Sequence, residues 1–221
     1  MTLLDQSLGT LAQEIPGATA VFNRHGLSFC CGGSHTLLEA ATKAGIDHAA
    51  LVNELTELQH SDEEASAWES APTTDLIQHI LGRYHLVHRA QLKELVRLAD
   101  RVEQVHGDKP GAPNGLADHL RLMTVELESH MQKEEQVLFP LLTSGQAEMA
   151  AWPIRAMMAE HEDHAGALDV IDRLTNGLTP PDGACNTWRA LYSGLATFKA
   201  DLEAHIALEN SVLFARALGN A

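Results

Sequence analysis

The segment His130-Met131-Gln132-Lys133-Glu134-Glu135-Gln136-Val137-Leu138-Phe139 has a counterpart 75 positions later, His205-Ile206-Ala207-Leu208-Glu209-Asn210-Ser211-Val212-Leu213-Phe214, and both read His-x-x-x-Glu-x-x-Val-Leu-Phe. On a helix of about 3.6 residues per turn, positions i and i+4 stand about 40° apart, so each His and Glu can address one target. Imidazole with carboxylate suits iron, manganese or zinc. Upstream, His85-x-x-His88 lies 45 residues before His130, and His161-x-x-His164 lies 44 before His205. The repeated unit is therefore a two-helix hairpin. Two stacked hairpins supply four helices, each presenting at least one histidine to a common interior.

Composition agrees with helices. Aromatics are 5% of the 221 residues, Ala, Leu and Glu are plentiful, and alternating runs of Val, Ile and Thr are absent, so the expected fold is all-α. The formal net charge of −15 disfavours nucleic acid and anionic membrane as partners. Met1 to Leu11 lacks the basic start and apolar core of a signal peptide, and no run approaches about 18 apolar residues, which points to the cytoplasm. Cys30, Cys31 and Cys185 make no even disulfide framework, in keeping with a reducing compartment.

The chain reads as two domains. Residues 1–59 form a small helical unit: a rhythm through Leu8, Leu11 and Ile15, a second segment opened by Pro16 and closed near Gly26, a Gly-rich turn Phe29-Cys30-Cys31-Gly32-Gly33-Ser34, and a helix capped by Ser34 that ends at Gly45, with Asp47 capping the next. Its modest apolar inventory favours docking on the larger domain or on a second subunit, as in a homodimer. Residues 60–72, polar and without helical periodicity, read as a linker. Residues 73–221 read as an up-down-up-down four-helix bundle, with helices from Thr73 to about His106, Gly115 to Leu142 (Pro140 kinking or ending it), Pro153 to Gly177, and from after Gly183 to about Leu218.

Heights within that bundle agree. His85 lies 25 residues before Pro110 and His130 lies 20 after it, while His161 and His205 flank Pro181 by 20 and 24, so the members of each pair fall near one level at about 1.5 Å per residue. The expected ligands are His85, His130 and Glu134 from one hairpin and His161, His205 and Glu209 from the other. A lone histidine on a helix is an ordinary surface or core residue; the doubled motif and matching levels make these six a set. With bridging glutamates each metal would have two imidazoles and two carboxylate oxygens, leaving positions for water or a small gas. His88 and His164, about 60° around the axis, read as orienting or rim residues, with direct ligation as the alternative. Glu126 and Glu160 read as lining a water or proton path, and Glu135 as solvated.

Adjacent cysteines are often only buried apolar groups, but Cys30-Cys31 lies in a Gly-rich turn near His25 and His35, which favours redox, metal or nitrosyl chemistry. Taken together, Phe29-Cys30-Cys31-Gly32-Gly33, Arg83-Tyr84-His85 and the two His-x-x-x-Glu segments resemble the repair-of-iron-centres proteins, the hemerythrin-like di-iron family of the YtfE/ScdA type, over nearly the whole chain. The resemblance implies an N-terminal Cys-Cys domain on a hemerythrin-like bundle holding two non-haem iron ions, oxo- and carboxylate-bridged, on the same six residues. It also implies a stress-response role in repairing iron-sulfur proteins damaged by nitric oxide or oxidants. Iron donation or nitric oxide removal, an enzyme reducing nitric oxide with Cys30 and Cys31 passing electrons, and a carrier or sensor of oxygen or nitric oxide are the readings that the residues leave open.

Overall fold

A computed structural model describes residues 2–15, 18–27 and 35–219, and every element among them is helical. The chain divides into two compact units, residues 1–70 and 71–221.

In the first unit, a 3₁₀ turn Leu3–Asp5 leads to α1 (Leu8–Glu14), α2 (Ala18–Arg24), α3 (Leu37–Ala44) and α4 (His48–Ser70). The Ser7 hydroxyl accepts from Thr10 N–H to start α1. Thr36 caps α3, with Glu39 returning a bond to the Thr36 N–H, which satisfies two otherwise orphaned donors. The cap expected at Ser34 and the Cys30-Cys31 turn lie outside the described residues. Gly45 ends α3 in the left-handed region, at φ 71°, where a Cβ would be strained. Asp47 Oδ1 accepts from Ala49 N–H at the start of α4. Leu8, Leu11, Phe22, Leu37, Leu51 and Leu55 are buried in this unit's own core.

The segment 60–72 departs from expectation, because α4 continues through it to Ser70. Its Ala and Glu residues are good helix formers, and no Pro or Gly interrupts the chain before Pro72. Lack of amphipathic periodicity removes a packing face without forbidding the helix.

The second unit is built from four long helical rods. The first comprises α5 (Thr73–His79), a π-helical stretch Ile80–His85, and α6 (Leu86–His106). The second comprises α7 (Leu116–Lys133), a π stretch Glu134–Leu138, and α8 (Phe139–Thr143). The third is α9 (Ala147–Thr175), and the fourth comprises α10 (Asn186–Leu208), a π stretch Glu209–Phe214, and α11 (Ala215–Gly219). Pro140 does not end the second rod. It follows the wide turn in which Phe139 N–H reaches back to Glu134 O, and the helix runs on to Thr143. Nor does Pro153 start the third rod. It sits inside α9, where its missing N–H frees the carbonyl of Met149, a residue 66% exposed, so that carbonyl can bond to water.

One half of this unit is a dry apolar core. Leu92, Leu95, Ala99 and Val102 of α6 meet Leu116, Leu120, Met123 and Leu127 of α7, Leu168 and Ile171 of α9, and Trp188, Leu191, Leu195, Phe198 and Leu202 of α10. The apolar stripe recurs at helical spacing on each rod, which orients the rods. Continuing the stripe along each rod brings the histidines and glutamates inward. No helix among the described residues is long and apolar enough to cross a membrane.

Candidate metal centre

The stripe Met123, Leu127, His130, Glu134 on the second rod is buried throughout, and so is Leu195, Phe198, Leu202, His205, Glu209 on the fourth. These positions recur every three or four residues, so once the apolar members pack, the His and Glu are carried into the interior with them. His85 and His161 arrive in the same way from the first and third rods; all four imidazoles are at most 3% exposed, and Glu134 and Glu209 are 0% exposed. Three of the four rods change to the wider π turn at this level, with His85 ending one stretch and Glu134 and Glu209 beginning the others. Such turns recur at functional sites because the extra residue re-aims the side chains beside it.

The six residues assemble into two overlapping groups. His85, Glu134, His205 and Glu209 place one donor atom each within 4.8 Å of one another, and so do His130, Glu134, His161 and Glu209. Glu134 points its two oxygens at different imidazoles, Oε2 at His85 Nε2 (3.4 Å) and Oε1 at His130 Nε2 (3.5 Å). Glu209 mirrors this, with Oε2 at His161 Nε2 and Oε1 at His205 Nε2, both 3.2 Å. Each group therefore joins histidines from different hairpins: the first and fourth rods form one, and the second and third form the other.

The donor set fits metal. Both carboxylate oxygens of Glu134 and of Glu209, and Nε2 of His85 and His205, are buried and make no hydrogen bond among the described residues. His130 Nε2 and His161 Nε2 stand 3.1 Å apart, two lone-pair positions converging on one point. Without a cation this cluster is costly. Burial, and next the Glu209 charge, push Glu134 well above the usual carboxylate range. Glu209 is also opposed by burial, but the His205 and His161 imidazoles hold it well below that range. Burial holds His130 down at about 3, so its imidazole stays neutral and free to ligate.

Three of the four outer nitrogens, those of His85, His130 and His161, have partners that the spacing only partly anticipates. Glu160 Oε2 lies 3.0 Å from His130 Nδ1, and its other oxygen accepts from Lys133. Glu160 is thus tied to a histidine. Glu135, expected in solvent, instead bonds His85 Nδ1 at 2.8 Å and pairs with Arg89. Asn210 Oδ1 meets His161 Nδ1 at 2.9 Å. Its position directly after Glu209 was the available signal. Glu126 is exposed, because Met123 and Leu127 occupy the inward positions of that turn, and it does not line the centre.

His88 and His164 are buried beside the centre but outside both groups. The His88 ring lies 5.3 Å from His205, and that of His164 lies 5.0 Å from His130. Burial lowers each to about 4, followed by His205 for His88 and by His161 for His164. His88 Nδ1 meets Gln91 Oε1 at 3.2 Å, and Gln91 Nε2 donates to Asp201, which also takes Arg83. Since the Gln91 amide nitrogen is committed to Asp201, its oxygen accepts, and His88 carries its proton on Nδ1.

Comparison with known proteins agrees with this geometry. A family described as the hemerythrin HHE cation binding domain matches residues 76–217, and a second, ScdA_N, described as a domain of unknown function, matches residues 4–59. The chain is 51% identical over 218 residues to the iron-sulfur cluster repair protein YtfE of Yersinia pseudotuberculosis, covering 99% of each. The same identity and coverage hold for the protein of that name from Yersinia pestis.

Proposed function

The chain belongs to the hemerythrin HHE cation-binding family and, within it, to the YtfE-type iron-sulfur cluster repair proteins, and from that premise we propose that it holds two iron ions in its bundle and uses them to restore damaged iron-sulfur clusters. The observation that carries the two-ion reading is the double membership of Glu134 and Glu209, each a donor in both groups. One ion would rest on His85 and His205, the other on His130 and His161, with both glutamates shared. When bound, iron supplies a redox-variable cation that carboxylate oxygens hold with an affinity set by its charge, which is what a donor to cluster repair requires.

The protein's own residues shape that chemistry. Phe139 stacks on His85 and Phe214 on His161, both at 5.8 Å, and with Leu138 and Leu213 they exclude bulk water. The remaining metal positions suit small gases such as nitric oxide or oxygen. Catalytic reduction of nitric oxide would need a continuing supply of electrons, whereas donation of ferrous iron to a client iron-sulfur protein consumes none. Iron-loaded protein mixed with an apo cluster protein, sulfide and reductant should restore client activity faster than an equal amount of free ferrous iron. An equal or slower rate would refute the donor reading.

A further inference from the structure

Resting on the two-ion reading above, we infer that the two metal positions are unequal and that the ion between His85 and His205 is the one released first, because His205 has no acceptor for its outer nitrogen among the described residues. All four ligand histidines turn Nε2 toward the glutamates, at 3.2 to 3.5 Å. A metal on Nε2 leaves the proton on Nδ1, so each Nδ1–H needs an acceptor.

The four are served differently. His130 has Glu160 Oε2 at 3.0 Å, with the second oxygen of that carboxylate held by Lys133 at 2.6 Å. His161 has Asn210 Oδ1 at 2.9 Å. His85 has Glu135 Oε1 at 2.8 Å, but the same oxygen faces the Arg89 guanidinium at 3.0 Å. His205 Nδ1 is buried and has no partner among the described residues. Its ring lies flat on Tyr84, 4.9 Å away at 8°, and tilts against His88, so its faces are covered while its Nδ1 edge is unmet.

A buried N–H without an acceptor disfavours the tautomer that binds metal. Outer partners of this kind typically change metal affinity about 10–100-fold. The unmet His205 falls on one group, whereas both histidines of the other have an oxygen acceptor. A surface depression of about 310 Å³, with Arg89 and Glu135 in its wall, brings solvent close to the weaker side.

The test uses the full chain. Metal-free protein given one equivalent of ferrous iron under anaerobic conditions, and examined by anomalous scattering at the iron edge, should show the His130–His161 position filled in clear excess. Equal filling, or preference for His85–His205, overturns the inference. In solution, a chelator should remove iron from the fully loaded protein in two phases about 10–100-fold apart in rate, and Asn210→Leu should accelerate only the slow one. Acceleration of the fast phase would overturn the assignment. If Asn210→Leu fails to fold, the wild-type occupancies decide. Unequal filling without client reactivation would sink the repair reading and leave this inference standing.

Discussion

Replacing His88 with leucine in the metal-free protein should change how stability depends on pH. Burial, and next His205, hold the His88 imidazole at about 4, against an ordinary 6.5. Because the folded value is the lower one, the unfolded chain binds the extra proton between these limits. The stability carried by neutral His88 is therefore fully present above 6.5, is lost progressively as pH falls, and is gone below about 4. That gap corresponds to roughly 3 kcal/mol in the acid limit and roughly 2 kcal/mol at pH 5. His88→Leu escapes that loss but leaves Gln91 Oε1 without its imidazole donor, a pH-independent cost of about 1–3 kcal/mol. The variant should be less stable than wild type at pH 7.5 and recover ~2 kcal/mol of the difference at pH 5. Urea unfolding with chelator present, followed through the buried Trp188, measures both differences. A variant-to-wild-type gap that stays constant between the two pH values would refute the account of His88 as a buried neutral base.

Glu134→Gln should weaken both metal positions, since Glu134 belongs to both groups, whereas His130→Ala should weaken one first; metal content after dialysis distinguishes them. Phe198→Ala removes a fully buried ring that meets His88 edge-on, and should lower the stability of the bundle unit by about 3–5 kcal/mol in chemical denaturation. Thr36→Ala deletes the hydroxyl that accepts from Glu39 N–H at the start of α3 and keeps the backbone N–H that donates to the Glu39 carboxylate, costing about 1 kcal/mol. Faster hydrogen exchange confined to the first turn of α3 checks that change.

The sequence by itself determined the helical class, the hairpin repeat and the six residues that the fold brings together. Those readings depend on local geometry: 3.6 residues per turn places His130 beside Glu134 and His205 beside Glu209, and a fixed rise per residue sets the heights of His85 and His161. Only the tertiary structure decided which histidines share a group. Spacing suggested a hairpin as the ligand unit, but the donor atoms that converge join the first rod to the fourth and the second to the third. The π turns were equally hidden, since their signal is a backbone bond to the fifth residue back rather than a side-chain pattern. The outer partners followed the same rule. Glu126, Glu135 and Glu160 are alike as letters, and whether each faces solvent or a ligand's Nδ1 depends on the rotation of its rod. That rotation is set by apolar stripes on neighbouring rods distant in sequence, which is why it could be read only from the folded chain.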